Sequence, residues 1–397
     1  MRQSVRVIVF NGDDEFSASV RSDLLSIDGV QIVAEVDEIT MIEQAVKQFA
    51  AEVLLVHLDP LPDQTLPVAA GIASTHERLA VMVISESTDG RHILTALRAG
   101  IREFLTKPVD SELLEAALEK VMAQTESGIE IGRLIAVMGT IGGAGASMLA
   151  ANLAVELGEF AQRRPVAVVD LDFRYGQLGT MLDLQADYTI ADLCDTPEQL
   201  DPAVIEKVMI KHDTGVHLLA RPNQFNQADQ FTAAHCASVL SALQQMYEYV
   251  VVDGPIRFDP GGLAVLDQAD MSLLVIQLLV PSVRNVSRMV DELRDGGYNL
   301  DRFRLICNRV GRESAHLEIG HVETTLNRKV FHQIPDDWKT VGSAVNMGVP
   351  LREIGARTRV RAAIRELAQR IAETRGAAVE ANATKGTLFG KIFSGTS

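Results

Sequence analysis

The stretch that most restricts the fold of this chain lies near its middle. An apolar run at 134–138 leads into Gly139-Thr140-Ile141-Gly142-Gly143-Ala144-Gly145-Ala146-Ser147, and an apolar helical pattern follows over 148–160. Glycines let a backbone curl tightly with its N–H groups turned inward. The start of the next helix adds partial positive charge at the same place. The stretch therefore reads as a strand, an anion-cradling loop and a helix, with the Ser147 hydroxyl offered to a metal ion. A strand that leaves its sheet by a helix belongs to a parallel sheet covered on both faces.

The rest of the chain alternates in the same way. Apolar runs at 5–10, 31–35, 53–58, 79–85 and 103–105 predict strands, with helices between them, among these 16–27 and 111–123. A second series of strands is expected at 134–138, 166–171, 216–220, 249–253, 271–280 and 303–308, and a last helix at 357–375. The run at 271–280 is about half a membrane span, ends at Pro281 and reads as a buried strand. A polar stretch at 124–128, ending in glycine, separates the two series. The expected architecture is α/β with two doubly wound domains, which suits 397 residues. The domains are residues 1–124 and 133–375, joined by a linker over 125–132 and followed by a flexible tail over 376–397.

Further signals follow the glycine-rich loop in a fixed order. The strand ending Val169-Asp170-Leu171-Asp172 is followed by Gly176. The run Tyr247-Glu248-Tyr249-Val250-Val251-Val252-Asp253-Gly254-Pro255 delivers a carboxylate at a strand end. Leu305-Ile306-Cys307-Asn308-Arg309 ends a later strand with an amide, and Ile334-Pro335-Asp336 precedes Ser343-Ala344-Val345-Asn346-Met347-Gly348-Val349-Pro350-Leu351. Together these resemble the MinD/ParA family of deviant Walker P-loop ATPases over residues 133–375. The resemblance implies ATP and Mg²⁺ as cofactors. It implies phosphate contacts from Gly142, Gly143, Ala144, Gly145, Ala146, Ser147 and Met148. Ser147 would bind Mg²⁺ directly and Asp253 through water. Asp170 and Asp172 would lie near the metal and the attacking water, with Asp172 as the catalytic candidate. Asn308 would contact adenine, beside Pro335 and Asp336.

Two departures from that family bear on chemistry. Its signature lysine, before the paired glycines, is here Ile141, and its lysine before the hydroxyl residue is here Ala146. Such a lysine stabilises phosphate charge, and one comparable electrostatic donor is worth ~10²–10³-fold in rate. Hydrolysis is expected to be weak or absent. Binding is expected to persist through backbone N–H groups, the helix start and Mg²⁺. Arg133, Arg163, Arg164 and Arg174 are candidates to replace the lost charge.

In the first series, Gly100-Ile101-Arg102-Glu103-Phe104-Leu105-Thr106-Lys107-Pro108-Val109 resembles the end of a response-regulator receiver domain, where a lysine before proline contacts a phosphorylated aspartate. Ser85 ends the preceding strand where receivers carry a hydroxyl. The acceptor position, however, holds His57 or Leu58, and Asp59 falls one or two residues late. In a strand, one step turns a side chain to the other face. Asn11 and Gly12 replace the acidic pair after the first strand, with Asp13 and Asp14 displaced. The expectation is a receiver-like (flavodoxin-like) protein-binding domain without phosphotransfer, in which Lys107 is a surface residue. The alternative is a phospho-switch using Asp13, Asp14 and Asp59.

A receiver-like domain ahead of a MinD/ParA-like domain resembles the TadZ/CpaE family, localisation and assembly factors for type IVb (Flp, tight-adherence) pili. The resemblance implies a homodimer through the P-loop domain, recruitment of the pilus secretion ATPase and other pilus assembly proteins, and a cytoplasmic position at the cell pole or inner membrane face. Cys194, Cys236 and Cys307 are scattered and read as reduced thiols, and no signal peptide precedes the first strand. A net charge of −16 makes DNA an unfavoured partner. The alternative function, a ParA/MinD-type ATPase positioning DNA or other cargo, would draw on Arg284, Arg288, Arg294, Arg302, Arg304 and Arg309, though Asp291, Glu292, Asp295 and Asp301 are interleaved with them. In the tail, Leu388, Phe389, Ile392 and Phe393 would share one helical face near Lys385 and Lys391. That pattern fits a membrane-surface contact, a partner-docking peptide or a disordered end.

Overall fold

The computed structural model describes residues 5–374, apart from 77–78, 89, 110, 125–130, 194–199, 225–226, 228–230, 255–259 and 312–316. The first sheet contains β1 (Val5–Phe10), β2 (Val30–Val36), β3 (Val53–His57), β4 (Ala80–Ser85) and β5 (Glu103–Thr106). Its order is β2-β1-β3-β4-β5, and every pairing is parallel. This is the flavodoxin-like order. β1, β3 and β4 are buried at every position, as unbroken apolar runs in a two-faced parallel sheet must be.

The second sheet contains β6 (Arg133–Gly139), β7 (Val166–Asp170), β8 (Ile210–Lys211), β9 (Val216–Leu219), β10 (Tyr249–Asp253), β11 (Met271–Ile276), β12 (Phe303–Val310) and β13 (Val330–Pro335). The order is β13-β12-β11-β6-β10-β7-β9-β8. β8 runs antiparallel to β9, and the other pairings are parallel. β6 sits inside the sheet, so the glycine-rich loop leaves from its middle. The helix after the loop, Ala146–Leu157, is buried from Met148 to Leu157. It is mostly apolar, and its two buried polar residues are partnered, Asn152 accepting from Leu351 N at 2.7 Å and Glu156 from Arg361 Nε at 2.8 Å.

Two details differ from the sequence reading. The run at 271–280 is a strand only as far as Ile276, and a helix, Val280–Asp295, starts at its end with Pro281 in the first turn. Proline starts a helix there because its missing N–H would have no intrahelical partner anyway. β8 and β13 were not anticipated. β13 is an edge strand, and His332 and Gln333 interrupt its apolar pattern. The last helix covers 359–374. The tail with Leu388, Phe389, Ile392 and Phe393, and Cys194, lie outside the described residues. Among the described residues, no helix is long and apolar enough to cross a membrane.

The two sheets are joined by a contact with a polar frame. Helix Pro260–Gln268, which follows β10, packs on β2, and Ala237 and Ala264 extend the apolar cluster of the first sheet. Arg21 donates to both oxygens of Asp267, at 2.7 and 2.6 Å, and the Tyr298 hydroxyl donates to the same carboxylate at 2.7 Å. Arg302 is buried and gathers the carbonyls of Leu266, Asp267 and Ala269 on one side and Val30 on the other. It therefore belongs to no basic face. Arg6, also buried, donates to Ser241 at 2.7 Å.

Asp267→Ala removes the acceptor shared by Arg21 and Tyr298. Urea denaturation should show a loss of about 1.5–3 kcal/mol, the range for hydrogen bonds to a charged group. Combining it with Arg21→Ala should cost less than the sum of the two changes, and strict additivity would contradict the contact.

Candidate functional site

The carboxyl ends of β6, β7, β10, β11 and β12 meet at one edge of the second sheet, where ligands of such folds bind. Parallel register sets Asp253 beside Asp170 and Gly139 beside Val275. The loop after β6 turns at Gly143 (φ 75°) and Gly145 (φ 95°), both left-handed. A Cβ on Gly145 would fall 2.4 Å from Asn308 Nδ2, so that position must be glycine for a second reason.

The carbonyls of the loop are tied outward by side-chain amides. Asn285 Nδ2 donates to Thr140 O, Gln277 Nε2 to Gly143 O and Asn308 Nδ2 to Ala144 O, each at 2.8 Å. Thr140 Oγ1 donates to Val275 O at 3.0 Å and lies 2.7 Å from Ser282 Oγ. Thr140 N and Ala144 N donate to Val275 O and Ile141 O, both at 3.1 Å, so Gly142, Gly143 and Gly145 carry the N–H groups that the loop can offer. Sequence reasoning missed Gln277 and Asn285, because 271–280 read as one strand. Asn308, expected at adenine, is buried, with its nitrogen on the loop and its oxygen accepting from Arg309 N at 2.9 Å. Next to it, Asp336 N donates to Val310 O at 2.9 Å, and Asp336 lies 3.6 Å from Arg309 Nε. Asn308, Pro335 and Asp336 are thus brought together on adjacent strand ends. Ala144 and Met148 are buried, and the main-chain N and O of Ala144 are both taken within the protein, by Ile141 O at 3.1 Å and Asn308 Nδ2 at 2.8 Å.

Asp170 organises the next loop. Its oxygens accept from Asp172 N at 3.2 Å and Leu178 N at 3.1 Å. A Cβ on Gly176 would fall 2.0 Å from Asp170 Oδ1. Arg221 Nε holds Gly176 O at 2.7 Å. The Asp172 carboxylate accepts from Tyr175 N at 3.1 Å and closes the same turn. Burial pushes Asp170 up to about 8, helped by the charges of Asp253 and Asp172 and opposed by the Leu178 N–H. Burial pushes Asp253 up to about 7, although a hydrogen bond from Ser147 pulls it down. Asp253 Oδ2 is buried without a hydrogen-bond partner. Two buried carboxylates, a hydroxyl and an orphaned oxygen suit a hard divalent cation. Among the described residues there is no ready cage of three His, Cys, Asp or Glu side chains. Mg²⁺ held by Ser147, with Asp253 beside it, would complete its shell from water and phosphate oxygens.

The proposed replacements for the missing lysines fall in different places. Arg133 opens β6, whereas the loop follows its other end, and it donates to Ile371 O and Thr374 Oγ1, both at 2.7 Å. Arg163 and Arg164 precede β7, and the Arg164 side chain donates to Gln244 O and Gln245 O. These arginines face the opposite end of the sheet, because a parallel strand keeps its two ends far apart. Arg174 alone lies in the turn at the site's end. Ile141 and Ala146 pack against the apolar core.

A glycine-rich loop with its carbonyls braced, a helix starting from it and paired carboxylates at a parallel sheet's carboxyl edge define a nucleotide-binding α/β protein of the P-loop kind. A family model, the CobQ/CobB/MinD/ParA nucleotide binding domain, matches residues 135–350, and the chain belongs to that family. The septum site-determining protein MinD of Thermotoga maritima is 22% identical over 247 residues, covering 61% of this chain and 88% of that protein. MinD of Synechocystis sp. is 26% identical over 226 residues, 55% of this chain and 81% of the relative. A ParA family ATPase from Chlorobium tepidum superposes with a TM-score of 0.57 at 20% identity, covering 60% of this chain and 98% of its own. MinD from Pyrococcus horikoshii, solved with Mg-ADP, gives 0.54 at 19% identity, covering 62% and 99%. These likenesses show the fold of the second half.

Asp170 and Asp253 hold protons in the folded chain that they would release on unfolding. Such raised groups contribute stability below the ordinary carboxylate range, and it is lost as pH rises through about 7 to about 8. The metal-free melting temperature should therefore fall between about pH 6 and about pH 8.5. Mg²⁺ should raise it more at the upper pH than at the lower. Asp253→Asn should flatten both trends in differential scanning calorimetry, and an unchanged profile would show that the carboxylates are not its source.

Proposed function

We propose that this chain binds ATP with Mg²⁺ and serves as a localisation and assembly scaffold for type IVb (Flp/Tad) pili, in the manner of TadZ/CpaE proteins, with weak or absent hydrolysis. The observation that carries the reading is the loop itself. Its backbone is braced for an anion and its metal-side carboxylates are kept, but Ile141 and Ala146 bring no charge. Such a pocket favours holding a nucleotide over cleaving it, because cleavage needs charge where the transition state develops it. We read residues 1–124 as the receiver-like partner-binding domain, 125–132 as linker, 133–375 as the nucleotide-binding domain and 376–397 as a tail. The scaffold would be a homodimer through the nucleotide-binding domain, on the cytoplasmic side at the cell pole or inner membrane face. Its partners would be the pilus secretion ATPase and other assembly proteins.

The alternative is an active ATPase that positions DNA or other cargo, as the ParA and MinD names of the relatives suggest. Its basic face is weakened here. Arg302 is buried in the contact between sheets, Arg294 pairs with Asp291 at 2.8 Å and Arg309 lies beside Asp336.

Calorimetric titration should show ATP binding that depends on Mg²⁺, with turnover on the same sample at or near background. Ile141→Lys with Ala146→Lys should raise turnover by about 10²–10³-fold. Robust turnover in the unmodified chain, abolished by Asp172→Ala, would favour the active ATPase instead.

A further inference from the structure

The carboxyl end of the first sheet is closed on itself. Asp59 lies two residues beyond β3, off the strand, and its carboxylate accepts from Ser85 Oγ at 3.2 Å and Glu86 N at 2.8 Å. Lys107, expected at the surface, is 15% exposed and lies 3.6 Å from the same carboxylate. An open cleft lies instead along the seam between the two sheets. Helices Ala233–Met246 and Pro260–Gln268 line it with Ala233, Ala234, Ala237 and Ala264, and side chains this small leave a gap that packed interiors normally close. The gap has a volume of 700 Å³, with Val33, Phe49 and the 43% exposed Met41 in its lining. A second lobe of 710 Å³ continues it between helix Ile42–Gln48 and the far end of helix Ala233–Met246. Gln48 and Ser238 belong to both lobes, and Gln48 Nε2 donates to Ser238 Oγ at 2.5 Å. None of the lining residues belongs to the nucleotide site.

The lining combines apolar surface with negative charge. Glu35, Asp37 and Asp267 line the first lobe against Arg21, and Glu43 and Asp201 line the second against Lys47. His235 Nδ1 accepts from Thr232 N at 3.2 Å, so its ring adds no fixed charge. The complementary occupant is apolar and basic. The segment at 385–393 has that composition. After Glu380 the sequence holds no acidic residue, and Lys385 and Lys391 accompany Leu388, Phe389, Ile392 and Phe393. These residues lie outside the described ones, but the helix that leads to them ends beside the cleft. Arg133 Nη1 donates to Thr374 Oγ1 at 2.7 Å. The neighbouring Gly132 donates to Gln244 O at 2.6 Å and accepts from Gln244 Nε2 at 3.1 Å. Gln245, next in that helix, lines the second lobe. Fourteen residues lead from Thr374 to Leu388, a reach of up to roughly 50 Å.

We propose that residues 385–393 dock within their own chain into the cleft between the two sheets, with Leu388, Phe389, Ile392 and Phe393 against its apolar lining and Lys385 and Lys391 toward its carboxylates. The docked segment touches both halves of the chain. While docked, it withholds its apolar side chains from a membrane surface or a partner.

The test places benzoylphenylalanine at position 389 of the full chain, in place of Phe389, and illuminates dilute protein alone and with phosphatidylglycerol vesicles. Mass spectrometry then maps the adducts. Without vesicles they should form within one chain, on residues 33–49 or 233–246, with Met41 a favoured acceptor because benzophenone attacks carbon next to sulfur. No adduct, adducts elsewhere on the chain, adducts only between copies or adducts only on lipid overturn the proposal. That reading leaves the cleft itself unaltered. A second reading changes its charge. Asp37→Lys, at an exposed position, should lower the yield by about two- to fivefold, the span of one exposed ion pair. Asp295→Lys, at the end of helix Val280–Asp295, should leave it unchanged. An equal fall in both variants, or none in Asp37→Lys, overturns the proposal as well.

Discussion

A loop that presents N–H groups to an anion must put its carbonyls somewhere, and a carbonyl left unpaired inside a protein costs about 1–3 kcal/mol. Here side chains from three neighbouring segments take them. Asn308 comes from β12, Gln277 from the turn after β11 and Asn285 from the helix beyond it. The loop is thereby shaped by the sheet around it and does not depend on a bound ligand or a lysine for its form. That explains how Ile141 and Ala146 can sit where charge is otherwise expected while the cradle persists. It also ties the loop to the end of β12, since Asn308 touches both Ala144 and Arg309.

The parallel sheets were legible because apolar runs of strand length separated by helical patterns admit few other arrangements. Asp170, Asp172 and Asp253 were legible for the same reason, since each ends such a run. The braces were not. Gln277 and Asn285 follow a run in which Pro281 looked like a stop, although proline at a helix start is as natural as proline after a strand. Asp59 was misread because strand alternation was applied past the last strand residue, where the chain is free to turn back toward β4. Polar contacts between segments far apart in sequence leave no periodic trace, so neither pattern nor propensity announces them.

The contact between the two sheets carries the same lesson at larger scale. Helix Pro260–Gln268 lies shortly after Asp253, and its far end is gripped by Arg302, Arg21 and Tyr298. The element that follows Asp253 is therefore also the element on which the first half rests.

The spacing of these contacts has a consequence for how the molecule is made. Arg6 meets Ser241 across 235 residues, and Arg21 meets Asp267 across 246. At roughly 5–20 residues per second, a ribosome needs roughly ten to fifty seconds to deliver those acceptors. The half of the chain that is synthesised first thus waits for contacts that emerge later, Arg6 and Arg21 standing ready for a surface that has yet to be made.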